Sequence, residues 1–350
     1  NKYIMKKFLL IIFSLYFSNS TAQETTLVLN KIDQNKLNID GVISEDEINK
    51  AKILEIIYEA EPGLNTTPSQ ETTGYITYSD KYLYVALKAN RERVIAPLTT
   101  RDNSALFRGD FAGITIDSYG DARNNILLIS NPSGSQTDGI RLPGTSFGGG
   151  LNINLNINFD FQSSGSITDE GYEIEFLIPL SELPFPNGKN QSWKFELFTG
   201  YIDDENQGVE VRAASSKSSR DASCQLCLLD HIIVMDDIVI DKKLDFLPYV
   251  SSNISGSRDK YYDRVNYETP ELNYGIGVNL ELNKNLSFEA TVNPDFSQVE
   301  SDATKIDINS PTALNYPEKR PFFNRGIDAM DYQLDVFYSR SINNPSFASK

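Results

Sequence analysis

The sequence predicts an all-β protein: a β-sandwich followed by the opening strands of a β-barrel left incomplete within these residues. Three observations carry that prediction. Short alternating segments recur between Gly, Asp, Asn and Pro turns, at a spacing of roughly 8–15 residues. Aromatic residues make up 11% of the chain, with 18 Tyr and 19 Phe against one Trp, and such side chains suit pleated, half-buried surfaces. Past the N-terminal stretch, no helical pattern exceeds about 12 residues.

The order of features along the 350 residues divides the chain. Lys6 and Lys7 precede the apolar run FLLIIFSLYF, and the small residues Ser20 and Ala22 follow it. Basic, apolar and small-residue regions in that order predict a secretory signal peptide over residues 1–22, starting at Met5 and cleaved after Ala22. The run is too short for a membrane-spanning helix. The sandwich is expected over 24–212, a linker over 213–242 and the barrel strands over 243–350.

Within the sandwich, ETTLVLN (24–30) alternates, and Asp40-Gly41 reads as a tight turn. Ser44 and Glu47 have capping-box spacing, which predicts a short helix near 45–52. Residues 72–90 predict a hairpin of Tyr75–Tyr78 and Tyr82–Ala89 around Ser79-Asp80-Lys81. A second pair is expected over 111–134, around DSYGDARNN. LNINLNINFDF (151–161) alternates apolar residues with Asn, as a strand with one wet face does. GYEIEFLIPLSELPF (171–185) is a strand whose pairing Pro179 ends. WKFELFTGY (193–201) is the last.

From residue 213, AASSKSSRDASCQLC is small, polar and turn-rich, hence the linker. Cys224 and Cys227 read as a local pair in a loop, their disulfide either strained or absent. A zinc site on them and His231 would need further ligands. Beyond, KLDFLPYVSSNISGS, LNYGIGVNLELN and LSFEATVNPDF alternate over about ten residues each, the pattern of transmembrane β-strands. A soluble sheet gives the same pattern. Closing a barrel takes at least about eight strands, so the chain reads as a fragment. In NYPEKRPFF (315–323), Pro317 and Pro321 deny ladder donors, while Lys319 and Arg320 are costly in lipid. That places the segment at a membrane boundary or in a lumen, with Phe322 and Phe323 in an aromatic girdle.

A net charge of −16 argues against nucleic acid and anionic headgroups as partners, since no basic face is available to release counterions. Nor does the sequence hold a G-x-S-x-G or H-E-x-x-H pattern, and it has one histidine, which leaves few bases for hydrolysis.

KLNIDGVISEDEI (36–48), SDKYLYVALKA (79–89), RGDFAGITID (108–117) and YEIEFLIPLSEL (172–183) together resemble the family 9 carbohydrate-binding module, a β-sandwich. NPDFSQVESD (293–302) and NYPEKRPFF resemble the outer-membrane family DUF5916, in which such a domain precedes a large barrel, mainly in Bacteroidetes. The resemblance implies an outer-membrane protein that binds a glycan without catalysis, with polysaccharide and outer-membrane lipid as partners. Its rivals are a hydrolase acting on O-glycosyl bonds and a structural envelope protein whose sandwich docks on its own barrel. Ile48 stands where such modules carry an aromatic residue.

Sugar binding needs a flat aromatic face and planar polar groups. The candidates are Arg101, Asp102, Arg108 and Asp110 in one loop, with Tyr119, Trp193 and Tyr201 as platforms. Trp193 and Tyr201 lie eight residues apart on one strand face and read equally as core. Arg108 and Asp110 read equally as a surface ion pair. Asp117, Asp121 and Asn125, joined by Asp138 from a second loop, are oxygen ligands suited to Ca2+, although their spacing is not that of an EF-hand. The same residue types are ordinary in hairpin turns.

Overall fold

The computed structural model describes residues 24–145, 151–155, 157–203, 208–238, 244–254, 256–258, 264–283 and 286–293. The expected signal peptide and the stretches 294–302 and 315–323 lie outside these residues.

In chain order the strands are β1 (Thr25–Val28), β2 (Lys52–Glu55), β3 (Tyr58–Glu61), β4 (Thr72–Tyr78), β5 (Tyr82–Asn90), β6 (Phe111–Asp117) and β7 (Asn125–Ser130). Next come β8 (Gln136–Thr145), β9 (Leu151–Asn154), β10 (Gln162–Thr168), β11 (Gly171–Pro179), β12 (Gln191–Asp203), β13 (Val209–Ala214) and β14 (His231–Met235). The remainder are β15 (Leu244–Asn253), β16 (Gly256–Ser257), β17 (Asn266–Tyr267), β18 (Glu271–Asn283) and β19 (Leu286–Val292). The one α-helix among the described residues, α1, is Glu45–Ile48.

Two sheets make the sandwich. One has nine strands, running β1-β14-β12-β6-β7-β8-β9 with β13 between β12 and β3; the other has five, β10-β11-β5-β4-β2. Strand alternation sends every second side chain inward. Ile114, Ile116, Leu128, Phe195 and Leu197 from the first sheet meet Ile76, Val85, Leu87, Ile174 and Phe176 from the second in one buried core. Both hairpins expected from the turn residues form, with β4 paired to β5 and β6 to β7. Among the described residues of the alternating stretch 151–161, Leu151–Asn154 is strand.

The expected linker is corrected. β13 pairs along the second half of β12, and β14 pairs with the first half of β12 and in parallel with β1. HIIVM alternates and lies inside the sheet between β1 and β12, so the sandwich extends through Met235. The small polar residues between β13 and β14 form a loop in which Cys224 and Cys227 are disulfide-bonded.

The segment 37–48 covers the outer face of the five-stranded sheet. Leu37, Ile39, Ile43 and Ile48 pack on Tyr84, Ala86 and Leu177. Carboxylates fasten its backbone. Glu175 accepts N–H bonds from Gly41 at 2.7 Å and Asp40 at 3.2 Å, Glu173 one from Ile43 at 2.8 Å, and Glu47 one from Ser44 at 2.8 Å. The last contact caps α1, which is shorter than the expected 45–52.

Glu175 is fully buried, and burial pushes its carboxyl up to about 7 against the hydrogen bond from Tyr84. Asp40 and Glu47 raise it further. The folded protein therefore holds this proton more tightly than the unfolded chain. The stabilisation is complete below the ordinary carboxylate range and disappears as pH rises through about 7. Unfolding free energies from urea titrations at about pH 5 and about pH 8 should differ by roughly 2–3 kcal/mol in favour of acid from this group. Glu175→Gln should remove that share of the slope; an unchanged slope would refute the assignment.

β15, β18 and β19 form a separate three-stranded antiparallel sheet in the order β15-β18-β19. Its register puts Leu244, Phe246 and Val250 beside Leu272, Tyr274, Ile276, Phe288 and Val292 on one face, and all eight are exposed, Val250 and Tyr274 at 75% each. The opposite face carries Asp245, Tyr249, Ser251, Asn273, Asn279 and Thr291, with Leu247 the apolar exception. Tyr249 lies across Gly275, where a Cβ would meet the ring at 2.5 Å; the missing side chain is what admits the tyrosine. No helix among the described residues is long and apolar enough to cross a membrane.

Candidate functional site

The sugar-site candidates do not gather at one place. Arg101 and Asp102 sit beside the start of β8. Arg101 Nε donates to Asp138 Oδ1 at 2.8 Å, and its Nη2 donates to the Phe159 carbonyl at 2.6 Å. The guanidinium lies 5.5 Å from the centre of the Phe161 ring. Asp102 accepts from the Asp138 N–H at 3.1 Å. Asp138 is a strand residue, correcting its expected place in a loop. It is fully buried and also accepts from Phe159 N at 2.6 Å. Burial raises its carboxyl, while Phe159 N–H and Arg101 oppose the rise. These three residues clamp the loop before β6 onto the sandwich edge.

Asp110 belongs elsewhere. It does not pair with Arg108, which stays exposed in the short 3-10 helix Ser104–Arg108. Its partner is Arg91 at the end of β5, with Nε to Oδ1 at 3.3 Å and both side chains 2% exposed. Asp110 Oδ2 also accepts from Ile95 N at 2.7 Å. The Arg91 guanidinium reaches Thr72 Oγ1 at 3.1 Å and Thr199 Oγ1 at 3.2 Å, and stacks 4.3 Å from the Tyr201 ring centre. The arrangement joins the two sheets. Tyr201 is 1% exposed and Trp193 0%, so neither is a sugar platform. Trp193 packs against Phe185 at 5.2 Å and gives its indole N–H to Gln191 at 3.1 Å. Tyr119 alone of the three aromatic candidates is exposed.

The four calcium candidates do not converge. Asp117 accepts N–H bonds from Gly120 at 2.8 Å and Ala122 at 2.9 Å, shaping the β6–β7 turn. Asp121 is on the outside of that turn, 3.5 Å from Arg123 Nε. Asn125 pairs with Arg141 in register, whereas Asp138 pairs with Leu128, which puts Asn125 and Asp138 on opposite faces. Among the described residues, no group of three or more His, Cys, Asp or Glu is placed to hold a metal. His231, the zinc candidate, is buried in β14 with its Nδ1 2.7 Å from Asp230 Oδ1.

The outer face of the nine-stranded sheet holds groups that sequence reasoning missed. At one end Phe111, Leu127 and Ile129 lie under Leu106, with Phe107 and Phe198 packed against them. Toward the other end, register sets Arg141 beside Asn125, Asp117 beside Lys194 and Thr115 beside Glu196. Arg141 and Glu196 carry no local sequence signal; only pairing across several strands brings them to one face.

The class of protein is thus an all-β chain: a two-sheet sandwich followed by a two-faced antiparallel sheet. Residues 241–350 match the family described as Domain of unknown function (DUF5916). No curated protein matches the chain. Solved structures similar to it include a family 9 carbohydrate-binding module from Caldicellulosiruptor kristjanssonii in complex with cellotriose, 16% identical, covering 60% of this chain and 91% of that one at a TM-score of 0.42. The same organism's module with glucose is 16% identical over 62% of this chain and 97% of that one, TM-score 0.42. A proposed carbohydrate-binding protein from Bacteroides uniformis is 11% identical over 61% of this chain and 99% of that one, TM-score 0.45.

Proposed function

We propose that the chain is a non-catalytic, glycan-binding protein of the outer membrane, its sandwich held at the membrane by the strands that follow. The observation that carries this reading is the sheet β15-β18-β19. Eight exposed large apolar side chains on one face and polar groups on the other are what a strand needs when lipid lies on one side and a polar lumen on the other. In water such a face would be an aggregation liability. The glycan half rests on the motif resemblance over residues 36–183 and on the polar end of the sandwich's outer face.

Incubating the purified chain with insoluble polysaccharides, glucose and cellotriose tests the binding half. Retention on a polysaccharide without release of reducing sugar is the expected outcome. Release of reducing sugar would favour the hydrolase. Failure to bind any glycan would leave the structural envelope role.

A further inference from the structure

Cys224 and Cys227 stand 3 positions apart, bonded to each other, in the loop between β13 and β14. A disulfide stabilises chiefly by tethering the unfolded chain, and the gain is smallest when the loop it closes is short. Other contacts already hold this loop. Asn65 Nδ2 donates to the Ser218 carbonyl and Asn65 Oδ1 accepts from Ser218 N, each at 2.8 Å. Arg220 Nη2 donates to the carbonyls of Pro62 at 2.8 Å and Gly63 at 3.1 Å. Gln225 Nε2 donates to those of Ser219 and Ala222. Leu226 and Leu229, flanking Cys227, are buried. The sulfur–sulfur bond is therefore not what fixes the loop to the sandwich.

The two sulfurs are not equivalent. Cys227 is exposed, whereas Cys224 is half-buried. Cys227 N–H donates to Cys224 Sγ at 3.2 Å. A thiol arriving from solvent meets Cys227 first, and the sulfur that must depart already receives a hydrogen bond. A thiolate stabilised in this way has a lower pKa and leaves faster. We infer that Cys224–Cys227 is a redox-exchange site for thiols. An incoming thiolate attacks Cys227 Sγ; the bond to Cys224 breaks, and its electron pair goes to Cys224 Sγ, which takes up a proton. A second thiolate attacks the sulfur of the first in the mixed disulfide and releases Cys227, which is protonated in turn. The chain gains two electrons and two protons, and the two incoming thiols leave as a disulfide. The other contacts of the loop stay in place throughout. The inference does not depend on the glycan-binding reading.

Equilibration of the purified chain in mixtures of reduced and oxidised glutathione, followed by alkylation and mass spectrometry, tests it. The fluorescence of the single, buried Trp193 reports the fold. In a mainly reduced mixture, where structural disulfides stay closed, both cysteines should become alkylated while the Trp193 signal stays native. A pair that opens only once urea unfolds the chain would overturn the inference. So would loss of the native Trp193 signal on reduction, because the bond would then be serving the fold. Cys224→Ser and Cys227→Ser test the direction of attack. With an aromatic disulfide reagent, Cys224→Ser, which keeps Cys227, should react several-fold faster than Cys227→Ser. Equal rates, or the reverse order, would overturn the assignment of Cys227 as the attacked sulfur.

Discussion

Replacing Arg91 by Met should destabilise the sandwich by roughly 3–5 kcal/mol, the usual cost of breaking a buried ion pair from one side. Arg91 directly follows β5 of the five-stranded sheet, and Asp110 directly precedes β6 of the nine-stranded one. Its guanidinium gives hydrogen bonds to Asp110, Thr72, Thr199 and the carbonyls of Glu71 and Asn90, between the rings of Tyr172 and Tyr201. Methionine fills much of that space but leaves the Asp110 carboxylate buried and unpaired. Burial already raises the Asp110 carboxyl despite Ile95 N–H and Arg91; without Arg91 the rise would be larger. Urea unfolding of Arg91→Met, Asp110→Asn and the double variant measures this. The double variant should lose less than the sum of the singles, because each single strands the other partner. A loss below about 1 kcal/mol for Arg91→Met would mean that the pair stabilises no more than a surface bridge.

A charge on the apolar face of β18 should block membrane association, and the same charge one face over should not. Ile276→Arg places a guanidinium among Val250, Tyr274 and Val292; at mid-bilayer that costs about 2–4 kcal/mol in a β-barrel. Asn273→Arg puts it on the opposite face, beside Ser251, where a water-filled lumen tolerates charge. Flotation of each variant with phospholipid vesicles separates the cases. Equal partitioning of the two would remove the reason for reading this sheet as membrane-facing.

Much of the fold was legible because its signals are local. The alternation in YLYVALKA and YEIEFLIP, the Ser79-Asp80-Lys81 turn, the stop at Pro179 and the reach of Glu47 back to Ser44 each involve residues a few positions apart. The stretch 213–242 misled for the opposite reason. HIIVM follows a small, polar run, and only its pairing with β12 and β1 makes it a sheet strand.

The candidate site was less legible. Arg101, Asp102 and Asp138 do meet, but as a clamp. Asp110 found its partner 19 residues back in Arg91 rather than two residues away. Trp193 and Tyr201 share a strand face, as their spacing requires, and that face turned out to be the buried one.

Where alternation and turn residues are clear, the sequence by itself determined the strands and which side chains of each go together, because backbone alternation depends on nothing beyond the strand. Which of the two faces is core, and which distant residues share the other, was decided only by tertiary structure. Asn125 and Asp138 illustrate it: similar residues in adjoining strands, they ended on opposite faces because the register of β7 against β8 is fixed by the burial of Ile126, Leu128 and Ile140. That burial is a property of the assembled sheets and of no single stretch of chain.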